Sequence, residues 1–214
     1  MPSIMSADFL RLGEQIDAML AAGARVFHVD VMDGHFVPNL TVGPGFAAGL
    51  AVPVRAAGGM LDVHLMVEHP GAMIELFAPL AGAISIHAEA DPHVHKLLSR
   101  VRELGCLAGL AINPGTSLAV VEPVAHMLDF VNVMSINPGF AGQSFLSTTP
   151  ERVADLWELL PDGVAIEIDG GISVATLPAV RDAGATLFVS ASSIFGANDP
   201  VAAYSELAVL AAGA

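Results

Sequence analysis

Two histidines and two aspartates carry most of the chemical information in this chain: His28, Asp30, His64 and Asp169. His28 and Asp30 lie in Val26-Phe27-His28-Val29-Asp30-Val31-Met32. Side chains alternate along a strand, so His28, Asp30 and Met32 share one face while Val29 and Val31 take the other. Taken alone, His-x-Asp in an apolar strand also suits two hydrogen-bonded core polars. Four such residues near strand ends suit a shared cation better. Mixed nitrogen and oxygen donors fit Zn²⁺, Fe²⁺, Mn²⁺ or Co²⁺ and leave positions for substrate oxygens, without choosing among these metals. A cation gripping a ketone oxygen and its neighbouring hydroxyl would stabilise an enediolate, while Asp30 and Asp169 exchange protons with opposite faces of the carbon between them. Two opposed bases invert that carbon, whereas a hydrolase needs a free metal-bound water and only one base.

The elements that must position these residues read as eight short apolar runs: 3–6, 26–31, 61–66, 83–87, 107–112, 130–135, 164–168 and 187–190. Helical patterns near 9–22, 44–50, 71–77, 92–104, 117–126, 150–159, 175–183 and 200–211 separate or follow them. Strands alternating with helices imply a parallel sheet, and about eight units in this length predict a single (β/α)8 TIM barrel over residues 1–214. A doubly wound open sheet is the alternative. Ala-Gly-Ala and Leu-Gly-Cys turns recur before strands at Gly23, Gly82, Gly105 and Gly184, as expected of one repeated unit with a glycine cap.

In such a barrel the active rim lies at the carboxyl ends of the strands. Polar residues and methionines cluster there: Ser6, Asp30, Met32, His64, Met66, His87, Asn113, Met134, Ser135, Asp169 and Ser190 to Ser192. Met32, Met66 and Met134 are expected to form a dry pocket lining. Glycine-rich turns follow the last three strands, at Gly139-Phe140-Ala141-Gly142-Gln143, Gly170-Gly171 and Ala191-Ser192. Their backbone N–H groups, with a short helix starting near Ser192, predict a phosphate site.

Composition narrows the partners. The net charge of −14 argues against nucleic acid and anionic membrane, both bound mainly through Lys and Arg. No apolar run is long enough to span a bilayer, and the lone Cys106 fits a cytoplasmic chain without disulfides. The single lysine, Lys96, falls in a helical pattern, which excludes a Schiff-base aldolase. A small-molecule phosphosugar substrate and a homo-oligomeric state are expected.

Several stretches resemble the ribulose-phosphate 3-epimerase family: 3–9 (Ser-Ile-Met-Ser-Ala-Asp-Phe), 28–39, 61–67, Asn113-Pro114-Gly115-Thr116, 134–140 and Glu167-Ile168-Asp169-Gly170-Gly171. The resemblance implies a (β/α)8 barrel with one divalent metal, often zinc, interconverting D-ribulose 5-phosphate and D-xylulose 5-phosphate. It implies that His28, Asp30, His64 and Asp169 are the ligands and that Asp30 and Asp169 are the acid/base pair. Ser6 and His64 would touch substrate, and the turns at 139–143, 170–171 and 191–192 would grip phosphate. The chain departs from the usual family pattern at Ala141 and Ala191, where the family usually has glycine. Related epimerases of allulose 6-phosphate share the metal machinery, so that sugar is the alternative substrate. A noncatalytic phosphosugar-binding barrel and a phosphosugar decarboxylase are the other readings. The two aspartates oppose the first and the missing strand lysine the second.

Overall fold

The computed structural model describes residues 1–213; Ala214, the last residue of the expected domain, lies outside them. Seven strands form one sheet: β1 (Val26–Met32), β2 (Met60–Met66), β3 (Ala83–His87), β4 (Leu107–Ile112), β5 (Phe130–Met134), β6 (Ala165–Asp169) and β7 (Leu187–Val189). They pair in chain order and every pair is parallel. The helices are α1 (Leu12–Ala21), α2 (Pro44–Ala56), α3 (Gly71–Phe77), α4 (Val94–Glu103), α5 (Thr149–Leu159), α6 (Leu177–Asp182), α7 (Ser192–Phe195) and α8 (Pro200–Ala211).

The expected first strand at 3–6 is not a strand. Pro2 and Ser3 bridge the gap between the sheet edges, pairing with Ser190 and His28, and the Met1 carbonyl accepts the Ser190 N–H at 3.0 Å on the β7 side. The Ser3 N–H donates to the Ser190 carbonyl at 2.9 Å, and the His28 N–H donates to the Pro2 carbonyl at 3.0 Å. Ile4–Ser6 then wind into a 3₁₀ turn, because the Ser3 hydroxyl accepts the Met5 N–H at 3.3 Å and offers the backbone a local partner in place of a ladder. The barrel is therefore closed by the short segment Met1 to Ser3, and Ser6 ends no strand.

Two helices also differ from expectation. α2 runs on past Leu50 to Ala56 with Pro53 in its interior. Ala47, Leu50, Ala51 and Val54 are buried along one stripe, and that burial outweighs the proline's missing N–H. The expected helix at 117–126 is two 3₁₀ turns, Leu118–Val120 and Glu122–Met127, started by the Ser117 cap and by Pro123.

The sheet's two faces have different chemistry. Val29, Val63, Leu65, Ile84, Ile86, Leu110, Ile112, Val131, Val133, Ile166 and Ile168 are buried beneath the helices. The barrel interior instead holds His28, Asp30, Asp62, His64, Ser85, His87, Asn132, Glu167 and Asp169. Lower down, the Phe130 ring occupies the space a side chain at Gly109 would need, 2.3 Å from that position. Apolar faces hold the fold, while the polar interior is left for chemistry.

Candidate active site and metal centre

Register brings the four residues together. Asp30 of β1 stands beside His64 of β2, and His28 beside Asp62. Met134 of β5 stands beside Asp169, which ends β6 on the far side of the barrel. One donor atom from each of His28, Asp30, His64 and Asp169 lies within 4.8 Å of the others. His28 Nε2 is 3.3 Å from Asp30 Oδ1 and 3.6 Å from Asp169 Oδ2. His64 Nδ1 is 3.5 Å and 3.3 Å from the same two oxygens.

These residues fit a cation. His28 Nε2 and His64 Nδ1 are buried without a hydrogen-bond partner, although both face carboxylates. Separations of 3.3–3.6 Å are long for a charge-assisted hydrogen bond. They are the edge lengths of a tetrahedron whose corners lie roughly 2.0–2.2 Å from its centre, the usual zinc-to-nitrogen and zinc-to-oxygen distance. Each imidazole is also braced from behind. His28 Nδ1 meets Asp62 Oδ2 at 2.7 Å, and His64 Nε2 meets His87 Nε2 at 2.9 Å. Such outer partners fix ring orientation at metal sites.

The electrostatics follow from the crowding. Burial alone would raise the Asp30 carboxyl, but His28 and His64 outweigh it and hold the group far below the usual carboxylate range. Burial and the Asp30 charge push Asp169 up, yet the same histidines leave it lowered. Conversely, His28 and His64 are raised against the effect of burial by the carboxylates around them. Beneath them, burial and Asp62 drive Glu167 well above its ordinary value.

Above this centre opens a concave cleft at the carboxyl ends of the strands, where small-molecule sites of such barrels lie. Asp30 and Asp169 reach its wall, as do Met32, Met66 and Met134, with Met5 beside them. The turns after the late strands supply Gly139, Phe140, Ala141 and Gly142, then Gly170 and Gly171, then Ala191 and Ser192. Gly170 and Gly171 have φ of 114° and 64°, values that L side chains rarely adopt. A side chain at Gly170 would meet Ile136 at 2.3 Å, and one at Gly171 would meet the Phe145 backbone at 3.0 Å. Ser135 Oγ donates to the Asp169 and Gly170 carbonyls, fixing this turn from below. No lysine or arginine lines the cleft among the described residues.

Two expected contacts lie elsewhere. Ser6, in the 3₁₀ turn, does not line the cleft; Ser3 does, and its hydroxyl donates to Asp30 Oδ2 at 2.7 Å. Reading 3–6 as a strand moved the rim three residues too far along. Gln143 turns back on its own loop, donating to the carbonyls of Asn137 at 2.7 Å and Phe140 at 2.8 Å. His87 and Asp62 were not assigned roles from the sequence. The apolar residues alternating with them, which place both side chains on the inner face, are the signal the sequence offers.

Comparison with known proteins places the chain in a family. Residues 1–195 match the ribulose-phosphate 3 epimerase family. The ribulose-phosphate 3-epimerase of Bacillus subtilis (strain 168) is 42% identical over 212 residues, covering 96% of each chain. That of Rhodobacter capsulatus is 45% identical over 196 residues, 91% of this chain and 84% of the relative. Among solved structures, 3-hexulose-6-phosphate synthase from Salmonella typhimurium superposes with a TM-score of 0.73 at 14% identity, covering 99% of this chain and 97% of that one, a likeness of fold. Over nearly its whole length, this chain belongs to the ribulose-phosphate 3-epimerase family of isomerases.

Proposed function

We propose that the protein inverts C3 of a ketose phosphate, interconverting D-ribulose 5-phosphate and D-xylulose 5-phosphate, with Asp30 and Asp169 as the two acid/base groups. The observation that carries this reading is the pair of carboxylates, on β1 and β6, both reaching the cleft wall beside two unpartnered imidazole nitrogens. His28, Asp30, His64 and Asp169 would hold one divalent cation, and their 3.3–3.6 Å donor separations are consistent with zinc. When bound, that ion supplies Lewis-acid stabilisation of negative charge developing on the substrate oxygens.

The chain's own residues do the rest. One aspartate takes the C3 proton from one face and the other returns a proton to the opposite face, so configuration is exchanged without loss of any atom. Ser3 donates to Asp30 Oδ2 and thereby fixes the rotation of that carboxyl group. Met32, Met66 and Met134 keep water from the reacting carbon. Gly139 to Gly142, Gly170-Gly171 and Ala191-Ser192 grip the phosphate through backbone N–H groups, since no cationic side chain is at hand.

The test is the rate of D-ribulose 5-phosphate conversion by zinc-loaded protein, with allulose 6-phosphate run in parallel because Ala141 and Ala191 line the cleft. Preference for the pentose phosphate is expected. Preference for the six-carbon sugar would reassign the substrate, and inactivity on both would overturn the reading. Asp169→Asn should lower the rate by at least about 10²-fold, the usual worth of a positioned acid/base group, with the fold retained by circular dichroism. Near-native turnover in that variant would refute the two-base scheme.

A further inference from the structure

The ring braced against His64 is another imidazole, and the chain of contacts does not stop there. His64 Nε2 and His87 Nε2 are 2.9 Å apart, with ring centroids 4.9 Å apart and planes inclined by 25°. The two rings therefore meet edge to edge, the geometry of an in-plane N–H···N bond. On its far side, His87 Nδ1 meets Glu89 Oε2 at 3.1 Å. Glu89 in turn accepts the Asn113 N–H at 2.9 Å and the Thr116 hydroxyl through its other oxygen. The side chain of Arg152, on α5, donates to the carbonyls of Asn113 and Thr116 and holds that turn from behind.

The donor and acceptor roles along this line are set by its outer end. A carboxylate only accepts, so His87 Nδ1 must carry the hydrogen that points at Glu89. A neutral His87 then offers a lone pair at Nε2, and His64 Nε2 must donate to it. A neutral His64 with its hydrogen on Nε2 has its free lone pair on Nδ1, the buried nitrogen that faces Asp30 and Asp169.

We propose that His87 and Glu89, anchored by the Asn113-Pro114-Gly115-Thr116 turn, are positioning residues that lock His64 in the Nε2–H tautomer and so present Nδ1 to the metal. This rests on the assignment of His64 as a ligand. It also gives Asn113 and Thr116 a task that neither substrate nor metal contact requires. His28 has a different arrangement, with the buried carboxylate of Asp62 in direct contact. The two imidazole ligands are thus set by two unlike devices.

The experiment uses ¹⁵N-histidine-labelled full chain with and without zinc. Long-range ¹H–¹⁵N spectra should show His87 as the Nδ1–H tautomer in both states and His64 as Nε2–H in the zinc-loaded protein. His87 protonated on Nε2 in either state would overturn the proposal without any variant being made. Zinc affinity, read by competition with a chelating dye, should fall 10–100-fold in His87→Leu and in Glu89→Ala. His87→Gln, whose amide oxygen can accept from His64 Nε2, should recover most of that loss. Native zinc affinity in a folded His87→Leu, or no recovery in a folded His87→Gln, would sink the proposal. If wild-type protein takes up no zinc, the metal reading fails, while the His87 tautomer still decides the relay.

Discussion

Asp30 divides its two oxygens between tasks: Oδ2 accepts from Ser3, and Oδ1 faces both histidines. That division makes the four-residue centre sensitive to protons. Burial alone would lower His28 and His64, but Asp30 and Asp169, joined at His28 by Asp62, outweigh it and hold both above the ordinary 6.5. Their folded values exceed the unfolded one, so the stability they contribute is fully present below about pH 6.5 and is lost as pH rises through the raised values. A divalent cation must displace these same protons. Zinc uptake is therefore expected to be tighter at pH 8 than at pH 6 and to release protons, which calorimetry in buffers of different ionisation enthalpy would register. Equal affinity at both values would mean that the histidines do not hold the ion.

At the scale of elements, the turns after β5, β6 and β7 decide the shape of the cleft, and the tightest is at Gly170. A methyl group there would lie 2.3 Å from Ile136 Cγ1, on a residue whose φ is 114°. Gly170→Ala should destabilise the fold by about 1–3 kcal/mol from the contact alone, measured by urea unfolding. Wild-type stability would show that Ile136 and the turn yield freely. The strands beneath these turns were legible in the sequence: Val, Ile and Leu runs bounded by glycine and proline gave β1 to β7 within a residue or so at each end. The His-x-Asp spacing in β1 likewise disclosed which face looks inward. Ser3–Ser6 was not legible, because a serine that caps its own turn looks no different from a serine in a strand. The expected end of α2 at Leu50 falls six residues short of Ala56, since nothing along the chain signals that burial of Val54 carries the helix past Pro53. The relay through His87 to Glu89 was hidden for another reason: it depends on contact between β3, its loop and the turn after β4, and spacing along the chain does not encode that.

The whole molecule carries a formal charge of −14 and no lysine or arginine lines the cleft among the described residues, so the proposed phosphosugar would meet like charge. Long-range repulsion therefore opposes the substrate and short-range backbone donors must overcome it. Raising ionic strength screens the repulsion more than the buried contacts, so KM for the phosphosugar is expected to fall between about 10 mM and 0.15 M salt, as the Debye length shrinks from roughly 30 to 8 Å. A rising KM would point to a cation on the phosphate. The closure at Pro2 and Ser3 has a kinetic side. Those two residues join the ends of the sheet, and the same Ser3 sets the rotation of the Asp30 carboxyl. On the proposed two-base scheme, any opening of the seam that withdraws Ser3 would free the Asp30 carboxyl to rotate, so turnover is expected to pause whenever the ring opens.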